Sequence, residues 1–507
     1  MNSFSSLESL EADCVTVNWV RFTLGTTYDA LPKEVRRFSI RLVLDSLGCA
    51  LGATRTERAK ILSGLIDELG GKPQATVLGI GRKTSTPQAA FANAELINEM
   101  DADAVFVNIS HIAPPIVAAA LTAAEYGKRT GLDLLRAVAI GHEIAARLAL
   151  AITPLQTTGQ GNDQRWVLSP VSGYSYAILG AAAACALLLD LSESQAAHAL
   201  GLAAYLAAVP THLKWIITRP FSMIKYNPMG WTSYGGVLSA LLARRGYTGD
   251  TQALEGERGL WQVWGSTRCD YAFLAEGLGR LWYGPAGTSF KPYPLCNLYR
   301  PHIWMLQRVM HREGLQPEEI LSVSLRTNAI TSANYDPRAA TQILRETDIH
   351  MSGAYALAMA AYGITPGPQW LDLAYSRAPQ ILSFMAKVHA EGNPTTAEAV
   401  YRENDTLVTP DLFKRADASI EIHTARGMFT DTVKVAKGDE WGTEQERMSD
   451  EELAAKFILY AQQTLDEAHA RDLADRLLDL ETVGALDGIL AFLKTPGASG
   501  LHGEGTQ

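Results

Sequence analysis

Between about residues 33 and 287 apolar residues return at three- and four-residue spacing, in the segments 33–53, 87–99, 115–127, 131–152, 177–208 and 228–245. That period places them on one face of a helix. Many of the inward positions are Ala or Gly, which lets helix axes approach closely and suits a large helix bundle. The longest near-continuous apolar run, AILGAAAACALLL at 177–189, is half alanine. It is shorter than the roughly 18 to 20 residues a membrane span needs, so it reads as a helix buried among others, and no membrane partner is expected. In this half only QATVLG, 74–79, reads as a strand.

The texture changes at GPAGTSFKPYP, 284–294, where Gly and Pro interrupt the helical run. Beyond it LSVSLR (321–326), DASIEIH (417–423) and TVKVA (432–436) alternate apolar with polar residues, as half-buried strands do. Helical patterns at 301–313, 352–362 and 368–378 lie between them, which makes this an α+β module. From 448 the helical period resumes to about 494, with Ser449 and Glu452 in capping-box spacing. These last helices are too few for a domain of their own. The expected fold is therefore mainly α: a helical domain from 1–287 completed by 447–494, a smaller inserted α+β lid domain at 288–446, and a disordered tail at 495–507.

Charge and cysteine usage exclude several function classes. With 44 basic against 54 acidic residues the net charge is −10, and no Lys/Arg-dense stretch exists to follow a phosphate backbone, so nucleic acid is not an expected partner. Cys14, Cys49, Cys185, Cys269 and Cys296 form no C-x-x-C pair, which argues against a disulfide framework or a zinc site and fits a reducing cytoplasm. The start, MNSFSSLESLEADC, has neither the basic nor the apolar region of a signal peptide, so the mature chain is expected to begin near Met1. GIGRKTS (79–85) lacks the third glycine of a dinucleotide fingerprint, and neither G-x-S-x-G nor H-E-x-x-H occurs. His142, in an apolar helix, reads as a core histidine.

Three places could carry chemistry. NEMDADAVFVNISHIAPPIV (98–117) is mostly apolar yet holds Asp101, Asp103 and His111. On one straight helix, ten residues would part Asp101 from His111 by roughly 15 Å. Pro114 and Pro115 end whatever precedes them, so 101–113 reads as a loop that can fold the carboxylate of Asp101 onto the imidazole. Asp101 would then orient His111 as a general acid/base; spacing alone also allows a capping aspartate and an ordinary loop histidine. In SMIKYNPMGW (222–231), Lys225 precedes a helix N-terminus and would suit an anionic ligand, or is simply solvated. SFKPYPLCNLYRPHI (289–303) sets Lys291 and Arg300 among tyrosines at the domain junction, which reads as a carboxylate clamp or as a basic linker.

Several segments together resemble the MmgE/PrpD family of dehydratases, decarboxylases and epimerases. They are AAFANAELINEMDAD, GLDLLRAVAIGHEIAARL, the stretch from Lys225 to GVLSALLARRGYTGD, KPYPLCNLYRP and MSGAY, in the family's order over most of the chain. The resemblance implies a helical domain built from both termini, an α+β lid domain, a homodimer and a cofactor-free pocket between the domains, and no metal ligands are expected among the site residues. It places the family's site aspartate on Asp101, its loop histidine on His111, its two lysines on Lys225 and Lys291, and its site tyrosine on Tyr355. Three positions depart from the pattern: Val105 replaces a hydroxyl residue, Val171 a loop histidine and Arg300 a lid histidine.

Arginine can hold a carboxylate but cannot shuttle protons, so the acid/base work falls to His111, Lys225 and Tyr355. A wall of Val105 and Val171 favours an aliphatic or aromatic substituent, hence a substrate less acidic than citrate, such as an alkyl-substituted citrate or a specialised-metabolite acid. The expected activity is a cofactor-independent lyase of dehydratase type. It would remove a proton α to a carboxylate and expel a β-hydroxyl from a small carboxylic acid. The alternatives are a decarboxylase, an isomerase or epimerase using Tyr174 or Tyr176 as its second proton-transfer group, and a non-catalytic binding protein.

Overall fold

The structure is a computed structural model that describes residues 14–106, 110–152, 155–158, 165–168, 174–209, 211–266, 269–327, 342–392 and 418–493. Its larger part is a bundle whose central helix, Ala177–Leu188, is buried on every side and packs against Ala113–Gly127, Gly131–Ala151 and Met229–Arg244. Small residues make that crossing possible. A Cβ at Gly180 would lie 2.3 Å from the Gly141 carbonyl oxygen, and one at Gly141 would lie 2.6 Å from that of Gly180. Gly180→Ala must push the two backbones apart, and should cost about 1–3 kcal/mol. Urea denaturation would read this as a lowered midpoint; an unchanged midpoint would refute so tight a crossing.

The segment expected as one helix, 177–208, is two: Ala177–Leu188 and Glu193–Leu206. Asp190 takes a left-handed conformation at φ 52°. Ser192 and Gln195 then close a capping box, with the Ser192 N–H donating to Gln195 Oε1 at 3.0 Å and the Gln195 N–H to Ser192 Oγ at 3.3 Å. The S-x-x-Q signal lay in the sequence, hidden by the uninterrupted apolar period.

The smaller domain carries a four-stranded sheet in the order Gly427–Val433, Ala418–Thr424, Ile320–Thr327, Val388–Gly392. The last pair is parallel and the others antiparallel. The strand expected at 432–436 lies earlier, because Gly427 pairs with Thr424 across a two-residue hairpin and its φ of 125° suits glycine alone. Val388–Gly392 was not read as a strand. In the helical half, Arg82–Thr84 pairs with Ala75–Val77, and Leu155–Thr158 with Arg165–Leu168, so QATVLG is not its only strand.

After this sheet the chain returns to the bundle. Asp450–Ala461 and Glu467–Leu478 pack on Lys33–Gly52, and the Ser449–Glu452 capping box forms, with the Ser449 N–H donating to Glu452 Oε2 at 2.8 Å. Both ends of the chain thus build the mainly α bundle around an inserted α+β domain. At the junction Val105–Phe106 pairs with Thr288–Ser289. Among the described residues no helix is long and apolar enough to cross a membrane.

Candidate active site

The helix Thr86–Glu99 ends just before the polar cluster. Asp101 adopts φ 52°, a left-handed conformation that a short polar side chain tolerates. Phe106 and Ser110 then exchange backbone hydrogen bonds of 2.8 and 2.9 Å, and the next helix, Ala113–Gly127, opens with proline in its first turn. This pairing of Phe106 with Ser110 brings His111 back to the aspartates. Asp101 and His111 do meet, with Nε2 3.3 Å from Asp101 Oδ1. The shorter contact, however, is to the other carboxylate: His111 Nδ1 lies 2.7 Å from Asp103 Oδ2. The ring is thus held by Asp103 at Nδ1 beside the contact expected with Asp101 at Nε2.

Around this triad the side chains are buried and mutually bonded. Asn98 Nδ2 donates to Asp103 Oδ1 at 3.1 Å and to the Tyr226 hydroxyl at 2.8 Å. That hydroxyl donates to Asp101 Oδ1 at 2.9 Å, and the Tyr226 ring stacks on His111 with centroids 4.6 Å apart. Lys291 Nζ donates to the same Asp101 oxygen at 3.0 Å and to the Leu295 carbonyl at 3.2 Å. Lys225 Nζ donates to the Asn98 and Glu99 carbonyls at 2.5 and 2.7 Å. Those are the last carbonyls of a helix, where the backbone dipole favours a cation. The ammonium expected near a helix N-terminus thus caps the C-terminus of another helix. Each ammonium carries three protons, and among the described residues two of them go to these protein oxygens.

Charge burial sets the protonation states. Burial alone would raise the Asp101 carboxyl, but Lys291 and Lys225, with His111, outweigh it and hold it well below the usual carboxylate range. Burial likewise opposes ionisation of Asp103, and the charge and hydrogen bond of His111 overcome it. Lys225 is lowered to about 8, chiefly by burial, with Asp101 acting against the shift. Asp101, Asp103 and His111 also each offer one ligand atom within 4.8 Å of the others, a spacing that could hold a cation. Lys291 already places a positive charge on Asp101, so a cation there would add a second positive charge beside it.

The remaining expected site residues are placed as follows. Arg300, expected to clamp a substrate carboxylate, pairs instead with Asp439 and donates to the Lys437 carbonyl at 2.8 Å. A ligand there would have to displace a buried carboxylate. Tyr355 is buried with its hydroxyl donating to the Trp370 carbonyl at 2.8 Å, so that proton is already engaged. Val105 is buried and opposite Ser289 in the junction strand pair. Val171 lies outside the described residues, as does the side chain of Tyr174. The Tyr176 hydroxyl donates to Ser110 Oγ at 2.8 Å, one residue before His111. Sequence reasoning passed over Asn98, Tyr226 and His350. The signal that could have found Asn98 and Tyr226 is their position beside Asp101 and Lys225 in otherwise apolar runs.

Comparison with known proteins adds two findings. The MmgE/PrpD N-terminal domain model matches residues 18–270 and the MmgE/PrpD C-terminal domain model residues 293–480. Among curated proteins, the human cis-aconitate decarboxylase is 29% identical over 250 residues, 48% of this chain and 49% of that protein. The cis-aconitate decarboxylase-like protein oryM of Aspergillus oryzae is 26% identical over 228 residues, 43% of this chain and 44% of that protein. The cis-aconitate decarboxylase of Aspergillus terreus is 23% identical over 519 residues, 97% of this chain and 98% of that protein. The matched stretches thus span about half the length of the first two relatives and nearly all of the third.

Proposed function

The chain belongs to the MmgE/PrpD family, and from that premise we propose that it is a lyase that releases CO₂ from a small unsaturated di- or tricarboxylic acid. The observation that carries this reading is the pair of buried ammonium groups, each with two protein acceptors among the described residues, beside an imidazole held between two carboxylates. Two substrate carboxylates would take the third protons of Lys225 and Lys291. As the carbon–carbon bond to the departing CO₂ breaks, its electron pair spreads towards a retained carboxylate, where fixed cations stabilise the developing charge. His111 then supplies its Nε2 proton to carbon, giving up the longer 3.3 Å contact with Asp101 while Nδ1 stays on Asp103, and is reprotonated from solvent. Asp103 fixes the ring and Asp101 balances Lys291. Val105 would form an apolar wall that tolerates an alkyl substituent.

Dehydration, the activity expected first from the sequence, uses the same groups in another order: His111 takes the α-proton and Lys225 protonates the leaving hydroxyl. The relatives' names tilt the choice towards decarboxylation. Incubation with a panel of unsaturated and hydroxy polycarboxylic acids, cis-aconitate and an alkyl-substituted citrate among them, separates the outcomes by mass. Loss of CO₂ supports the proposal, and loss of water shifts it to the dehydratase form. Deuterium uptake from D₂O without a change in composition would make the protein an isomerase. Tight binding with no turnover or exchange would make it a binding protein.

The Lys225 ammonium, with its pKa lowered to about 8, gives a pH signature. Its charged form holds the substrate, so kcat/KM should fall as pH rises through about 8. Lys225→Arg, which keeps its charge, should lose that alkaline limb, whatever its residual rate. The fall would not be unfolding. Between pH 8 and the ordinary lysine value of about 10.4 the unfolded chain binds this proton and the folded one does not, so this titration makes the fold more stable as pH rises. A flat wild-type profile to pH 9.5 would remove Lys225 from substrate binding.

A further inference from the structure

One buried polar side chain beside the site has no task in the scheme above. His350 ends the short helix Glu346–His350 and is buried, and neither ring nitrogen has a hydrogen-bond partner among the described residues. An imidazole carries one donor and one acceptor when neutral, and leaving either unmet in a protein interior is costly. Such a group calls for an explanation.

Its position supplies one. The helix is tied to both lysine-bearing segments. The Cys296 N–H donates to the His350 carbonyl at 2.8 Å, one residue past the Leu295 carbonyl that receives Lys291. Asp348 accepts the Phe221 N–H at 2.9 Å, on the segment leading to Lys225. Lys225, Asp101 and Lys291 all act electrostatically on the ring, which is held neutral first by burial and then by the Lys225 charge. A group already under the charge of two ammoniums gains nothing from becoming a further cation. It can still donate a hydrogen bond.

We infer that His350 is a substrate-binding residue: its neutral ring N–H takes one carboxylate oxygen of the polycarboxylic acid that Lys225 and Lys291 hold. This contact distinguishes among acids, because it rewards a carboxylate at one position on the carbon frame without adding charge to the site. The inference rests on the proposal that the ligand is such an acid, and binding can be measured separately from turnover.

The test compares wild type with His350→Leu and His350→Asn, using calorimetric binding of a saturated tricarboxylate, which does not react, alongside turnover. His350→Leu should weaken binding about tenfold, the worth of one such hydrogen bond, and raise KM similarly with kcat changed less. Its thermal midpoint should stay level or rise, since an unmet polar group has been replaced by an apolar one. His350→Asn, which keeps a donor, should recover part of the affinity and guards against misfolding of the leucine variant. Unchanged binding and KM in both variants would overturn the inference while leaving the lyase reading intact. Weakened binding in a protein that turns over no acid would uphold the contact and overturn the lyase reading. A wild-type protein that neither binds nor converts the probe acids would overturn both.

Discussion

His111→Asn should lower kcat by about 100- to 10,000-fold, the usual contribution of a positioned acid or base, while KM changes little. The split follows from the geometry. His111 is bonded to Asp103 through Nδ1 and faces Asp101 through Nε2, whereas the ammonium groups that would hold the substrate belong to Lys225 and Lys291. Asparagine keeps an amide donor at the place of Nδ1, so Asp103 retains its hydrogen bond, Asp101 keeps Lys291 and Tyr226, and the fold should survive. What it cannot do is take up and release a proton as an imidazole does. Steady-state kinetics on whichever acid the panel identifies reads the effect. A variant with turnover within threefold of wild type would strip His111 of its role.

Lys291→Met should destabilise the protein by about 3–5 kcal/mol, because it leaves Asp101 charged and buried without its closest ammonium. Asp101 sits in the interior with Tyr226 and His111 as further contacts, neither a permanent cation, and Lys225 as the next positive charge acting on it. The double variant Asp101→Asn/Lys291→Met removes both charges and should regain much of that loss, as coupled neighbours do in a mutant cycle. Its activity should stay absent, since the substrate contact and the charge balance beside His111 are both gone. Urea denaturation measures the first effect and turnover the second. If the single variant were as stable as wild type, the Asp101–Lys291 pair would not be the electrostatic core of the site.

Much of this arrangement was legible in the sequence because each residue broke a local rule. Asp101 and His111 stood out in an apolar stretch, and the two prolines after them forced a loop that could fold back. Lys225 and Lys291 were legible through their place in segments that resemble a family pattern. What escaped were choices that depend on distant chain. Two aspartates separated by one residue give no hint of which meets the imidazole at Nδ1, a pairing made only when the chain folds His111 back. Arg300 looked free because its partner, Asp439, lies 139 residues away in the chain. His350 drew no notice because its neighbourhood is built by segments near 225 and 295. At the level of fold, periodicity found the bundle, and the division of 177–208 was lost because a short capping signal sat inside a strong apolar rhythm. Val388–Gly392 is too short to alternate visibly and gains its identity from a parallel partner.

The central claim is that one carboxylic acid is held by Lys225 and Lys291 beside His111. The crystal structure of the protein with a bound saturated tricarboxylate tests it most directly. The expected result is a carboxylate oxygen at about 3 Å, ordinary charge-assisted hydrogen-bond distance, from each of Lys225 Nζ and Lys291 Nζ, with the carbon frame against the His111 ring. A ligand seated on Arg300 in place of Asp439, or bound away from both lysines, would contradict it.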